Sequence, residues 1–210
     1  MPESVRHLQL AAPGGPVMGG AERTDQLVEV ALPSGRLTAI DAGEYPHDAT
    51  AAAGRIFVGD EGGDTVSVID GRRLVDTLEL LTTLDAGAGP SHVVADDDGR
   101  FYVADTGGDA ILVFEPGPDP RLLDRANVPG SPYGIAIDER HGRLWVTQTA
   151  LNEVTELELT DLAPRVVAGY PTVRQPNSVA VDSRTGRVFV LGRTGNRLQM
   201  IDPPDEEGAG

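Results

Sequence analysis

Residues 89–114 read GPSHVVADDDGRFYVADTGGDAILVF. Two turns rich in Asp and Gly divide this stretch into three short apolar runs, residues 93–95, 101–103 and 111–114. Runs of this length bounded by Pro, Gly and Asp are strand-sized and too short for helices. Read alone, the stretch is three strands of an antiparallel meander. Its copies elsewhere in the chain decide the rest.

Those copies are in register. Pro46-His47-Asp48, Pro90-Ser91-His92, Pro132-Tyr133-Gly134 and Pro176-Asn177-Ser178 begin at intervals of 44, 42 and 44 residues. Each opens a short apolar run, weakest after Pro46, and leads to a Gly-Arg turn and an aromatic strand, with Phe57, Tyr102, Trp145 and Phe189 in one column. A second turn carries Asp64, Asp109, Asn152 and Asn196, where a short Asx side chain is expected to bond its own backbone. An alternating strand follows, and less regular segments such as residues 74–81 and 165–168 complete a fourth.

Four antiparallel strands in about 43 residues make the blade of a β-propeller. A fifth, eroded copy is read at residues 16–18, 24–28 and 37–40. The expected fold is therefore all-β, a β-propeller of about five four-stranded blades, shortened or incompletely closed beside a six- or seven-bladed type. One domain is expected over residues 1–210, with repeats beginning near 16, 46, 90, 132 and 176 and a polar tail at 203–210. Because the last copy stops after Ile201-Asp202, residues 5–10 are expected to supply its outer strand and fasten the ring. A ring left open would instead expose edges that favour dimerisation, whereas a closed ring would be a monomer.

Composition removes several classes of function. The 33 acidic and 17 basic residues give a formal charge of −16, which repels nucleic acid and anionic membrane surfaces. There is no cysteine and no lysine, so disulfides, thiolate zinc sites, cysteine nucleophiles, P-loops and Schiff bases have no residues to build them. Residues 1–10 lack the apolar core of a signal peptide, so the chain reads as soluble and cytoplasmic as written, or extracytoplasmic if a leader has been removed. No Gly-x-Ser-x-Gly, His-Glu-x-x-His or Gly-x-Gly-x-x-Gly motif occurs.

The stretch at 89–114 resembles NHL and YVTN-type propeller repeats, and residues 131–157, SPYGIAIDERHGRLWVTQTALNEVTEL, resemble blades of virginiamycin B lyase-like proteins. The resemblance covers roughly residues 20–202. Such propellers serve as binding modules, lactonases of the gluconolactonase type and lyases alike, so the likeness implies the fold more narrowly than the activity.

In a propeller the residues after each repeat proline ring the mouth of the central channel. Here these are His47, Asp48, Ser91, His92, Tyr133, Asn177 and Ser178, with Asp60, Glu61, Asp105, Gln148 and Arg193 expected further out on the same face. Convergent polar groups at one mouth are the default ligand site. His47, Asp48 and His92 form the candidate set for a divalent metal ion, the only cofactor these residues suggest. Asp96-Asp97-Asp98-Gly99 is a solvated turn, because Val94 would hold the first ligand position of a calcium loop. Arg55, Arg100, Arg143 and Arg187 recur on the opposite face and read as surface ion pairs, and the aromatic column reads as core. The expected function is a non-enzymatic scaffold presenting one face to a protein, peptide or glycan. The alternative is a metal-dependent lactonase or lyase with its cation at the mouth.

Overall fold

The computed structural model of the chain describes residues 5–72, 77–160 and 163–204. Those residues form nineteen strands in five antiparallel sheets and no helix. The first sheet holds β1 (Gln9–Leu10), β2 (Val17–Ala21), β3 (Gln26–Val30) and β4 (Leu37–Asp41). The second holds β5 (Pro46–Ala52), β6 (Arg55–Asp60), β7 (Thr65–Asp70) and β8 (Leu80–Asp85). The third runs through β9 (Pro90–Ala95), β10 (Phe101–Asp105), β11 (Ala110–Glu115) and β12 (Arg121–Asn127). The fourth runs through β13 (Pro132–Asp138), β14 (Arg143–Gln148), β15 (Glu153–Glu158) and β16 (Arg165–Pro171). The fifth has three strands, β17 (Pro176–Asp182), β18 (Arg187–Gly192) and β19 (Leu198–Ile201).

Each sheet is a blade, and its strands pair in chain order from the axis outward. The expected outer strand at 74–81 starts later, at Leu80, and residues 73–76 lie outside the described residues. Blades stack face to face through their apolar sides. Phe57, Val66 and Val68 of the second blade pack with Phe101, Val103, Leu112 and Phe114 of the third. The Phe57 and Phe101 rings stack at 3.9 Å. Tyr102, Ala104, Ile111 and Val113 then face Leu144, Val146 and Leu157 of the fourth blade. Central strands sandwiched between blades are buried on both faces, which is why they read as continuous apolar runs.

The Asx column has a different task from the one expected. Asp25, Asp64, Asp109 and Asn152 all take the left-handed conformation, with φ between 52° and 59°. Their side chains accept from the backbone just ahead of the next blade, at Tyr45, Gly89, Gly130 with Ser131, and Gln175. Each turn thus clips one blade to the next, because the left-handed turn aims the short side chain away from its own backbone. Two arginines of the opposite face pair across neighbouring strands, Arg143 with Glu156 and Arg187 with Asp202, while Arg100 donates to the Thr160 carbonyl.

The expectation that residues 5–10 complete the last blade is overturned. Residues 5–10 join the first blade, not the last: Val5 bridges Ala21, Gln9 pairs with Met18 and Leu10 with Val17. Among the described residues the first blade therefore begins at Val5, and residues 17 and 18 lie in its second strand. The physical reason is Gly19, whose missing side chain leaves room for the backbone carbonyl of His7 and the side chain of Val5. Among the described residues strand β19 has no outer partner, and no strand of the fifth blade packs on the first to an extent comparable with the four blade-to-blade contacts. Among the described residues the ring is open.

Candidate binding site at the channel mouth

The inner strands of the last four blades enter the ring through a residue with positive φ, Tyr45, Gly89, Ser131 and Gln175. The pairing register then slips beside the proline, between Pro46 and Asp48, between Pro132 and Ile135, and between Pro176 and Ser178. A bulge re-aims the side chain it contains. Here it turns the residues after each proline toward the axis.

Four rings meet there. His47 lies 5.2 Å from His92 and 5.7 Å from Tyr133 between ring centroids, and His92 lies 4.8 Å from Tyr133. The fourth ring is His7, stacked on His47 at 4.8 Å and set edge-on to His92 at 4.6 Å. The Tyr133 hydroxyl and His47 Nε2 share a hydrogen bond of 2.9 Å. Glu61 stands at the rim with Oε2 3.9 Å from the same nitrogen. The Nδ1 atoms of His47 and His92 are buried and have no partner.

Burial sets the charge state of this cluster. It pushes the His47 pKa down to about 4 and that of His92 down to about 3, with the neighbouring imidazoles adding to the effect. His7 is lowered for the same reason. At neutral pH the mouth presents three uncharged imidazoles and a phenol. Burial also holds the Asp48 carboxyl up at about 7.

The remaining sequence candidates lie elsewhere or do another job. Asp48 is turned along the strand, accepting from Ala49 N–H at 2.9 Å and from Val93 N–H of the next blade at 3.2 Å. Among the described residues no three His, Asp or Glu side chains are arranged to hold a metal ion, so the set His47, Asp48 and His92 is not a ligand set. Asp60, Asp105 and Gln148 occupy one column and are buried beneath the mouth. Asp60 accepts from Ser67 Oγ at 2.7 Å and Gly43 N–H at 3.1 Å, Asp105 from Ala88 N–H at 2.7 Å, and Gln148 donates to Pro129 O at 2.7 Å. They tie down the loops that feed the inner strands. Burial raises the Asp60 carboxyl to about 6 despite these bonds. Ser91 is buried and accepts from Thr106 Oγ1 at 2.8 Å. Asn177 and Ser178 sit at the open end of the arc, where Gly134 lets β17 approach so closely that a Cβ would lie 2.7 Å from the Asn177 carbonyl oxygen. Arg193 is exposed on the outer rim.

His7 is the site residue that the sequence reading missed. Val5 opposite Ala21 matches Pro46 opposite Asp60, so Arg6 and His7 stand where the second blade has His47 and Asp48. The signal was available only to a reader who placed residues 5–10 on the axis.

No protein-family model matches the sequence, and no curated protein matches it significantly. Solved structures do. A streptogramin B lyase aligns over 96% of this chain and 70% of its own, at 13% identity and a TM-score of 0.73. A candidate 6-phosphogluconolactonase from Bacteroides uniformis aligns over 96% and 68%, at 16% identity and a TM-score of 0.80. The chain shares the fold of these β-propellers. A catalytically inactive histidine-to-alanine variant of virginiamycin B lyase from Staphylococcus aureus, solved with quinupristin, aligns over 93% and 69%, at 14% identity and a TM-score of 0.71. These structures are longer, and the chain spans about 70% of the length of each.

Proposed function

We propose that this propeller is a binding scaffold whose mouth, at His7, His47, His92 and Tyr133, takes a peptide or glycan. The observation that carries it is the pair of buried, unpartnered Nδ1 atoms inside a cluster of uncharged rings. Buried polar atoms are nearly always hydrogen-bonded in folded proteins, so two idle ones side by side mark a place where a polar group is received. Neutral imidazoles and a phenol stack on and hydrogen-bond to amides and sugar hydroxyls without demanding a charge. Screening the full chain against peptide and glycan arrays, with His7→Ala and His92→Ala alongside, tests this. Captured ligands should be lost from both variants while thermal melts stay cooperative; ligands held equally by all three proteins would move the site elsewhere.

A second reading rests on the same imidazoles. Imidazoles gathered at one mouth are the groups most often used as a general base, and a histidine is what the inactive virginiamycin B lyase variant lacks. Quinupristin incubated with the purified chain and followed by mass spectrometry separates the readings. A product whose rate collapses in His92→Ala or His7→Ala would favour an enzyme, and unchanged quinupristin would leave the scaffold.

A further inference from the structure

One position at the mouth does a structural job in two blades and cannot do it in another. The residue after each of β6, β10 and β14 is fixed through its backbone, where Glu61 donates to Tyr45 O, Thr106 to Gly89 O and Thr149 to Ser131 O. In the third and fourth blades it is a threonine. Its hydroxyl donates to the proline carbonyl that opens the next inner strand, Thr106 Oγ1 to Pro132 O and Thr149 Oγ1 to Pro176 O, both at 2.7 Å. In the second blade the same position holds Glu61. An ionised carboxylate only accepts, so it has no hydrogen to give to the Pro90 carbonyl.

The Glu61 carboxylate is therefore left over. Among the described residues it accepts no hydrogen bond, and its contact at 3.9 Å is with His47 Nε2, on a ring that burial keeps uncharged at neutral pH. Neighbouring cations do not reach it. Glu22 stands at the matching place in the first blade, and there Arg6 pairs with it at 3.2 Å. Arg193 holds the place in the fifth blade, three blades along the arc, and forms no ion pair with Glu61. The Glu61 side chain is 35% exposed, open to solvent yet set against the nitrogen that bonds the Tyr133 hydroxyl.

We propose that Glu61 receives the protonated amino end of a peptide whose uncharged part lies on the rings of His7, His47, His92 and Tyr133. The proposal rests on the reading of the mouth as a binding site and names the end of the ligand that enters it. An ammonium brings charge and N–H donors to a carboxylate that has neither from its own chain, and a charge-assisted hydrogen bond of this kind is stronger than a neutral one. A peptide carries that ammonium next to the amides that the uncharged rings accommodate.

Lysine-free hexapeptides attached through their carboxyl ends, printed once with free amino ends and once acetylated, test this when probed with the full chain. Capture should appear on the free copy and fall about tenfold or more on the acetylated one. Glu61→Gln, which breaks no side-chain hydrogen bond, should lose the same capture with an unchanged melting temperature. A chain of −16 gathers amines at any acidic surface, so Asp119→Asn, at an exposed carboxylate beside Arg55 on the opposite face, removes the same charge and should keep the capture. Capture as strong on the acetylated copy, if lost in His92→Ala, would leave the mouth as the site and overturn the role of Glu61. Free ends held equally by Glu61→Gln would overturn it too. Capture of glucosamine oligomers in place of peptides would overturn the assignment to a peptide end, and no capture on either copy would remove the inference together with the reading beneath it.

Discussion

At His92, burial beside two other imidazoles keeps the folded pKa at about 3, while the unfolded chain retains about 6.5. Above pH 6.5 neither state holds the proton. Between 6.5 and 3 the unfolded chain takes it up and the folded chain does not, so the stability present above 6.5 is lost as pH falls through that window. Asp48 works in the opposite sense between about 7 and 3.8, because its folded carboxyl is protonated first, but it is common to wild type and variant and cancels in their difference. The melting temperature of His92→Gln relative to wild type should therefore rise as pH is lowered from 6.5 toward 3. A difference flat with pH would mean that the ring is solvated. Asp105 gives a second residue-scale expectation. Asp105→Ala strands the N–H groups of Ala88 and Gly108 and should cost about 2 kcal/mol, read as a lower urea midpoint.

Among the elements, β1 does more than its two residues suggest. With Val5 it covers the inner edge of the first blade, and Gln9 accepts from Thr50 Oγ1 of the second at 3.1 Å. Deleting residues 1–10 should lower the melting temperature through loss of this edge and should remove His7 from the mouth. Gly19→Val should do the same by a subtler route, since its side chain would collide with the His7 backbone and Val5. If binding at the mouth survives both changes, His7 is not part of the site. Strands β6, β10, β14 and β18 were legible because core packing demands apolar residues at fixed positions in every blade. The inner strand of the first blade was not, because it lacks the proline that marks the other four.

For the molecule as a whole, five sheets without a helix among the described residues predict a far-UV circular dichroism spectrum without helical minima. The charge of −16 predicts no retention on heparin or DNA at low salt, where a basic surface would bind most strongly. The open arc links these scales. Its axial mouth gathers the rings of four blades, and the outward side of its fifth blade leaves Leu198 and Met200 exposed.

The repeat alone determined the blade, its strands, the approximate count and the polar residues after each proline, because every blade must solve the same packing problem and the solution recurs every 43 residues or so. Only the tertiary structure decided which of those polar residues share a site. Asp60, Asp105 and Gln148 look as exposed in sequence as His47 and Tyr133, yet the bulges aim the latter at the axis while the former face the loops they hold. The same holds for the ends of the chain. Whether residues 5–10 pair with the first blade or the last depends on distances between termini 200 residues apart, and no local pattern encodes a distance of that kind.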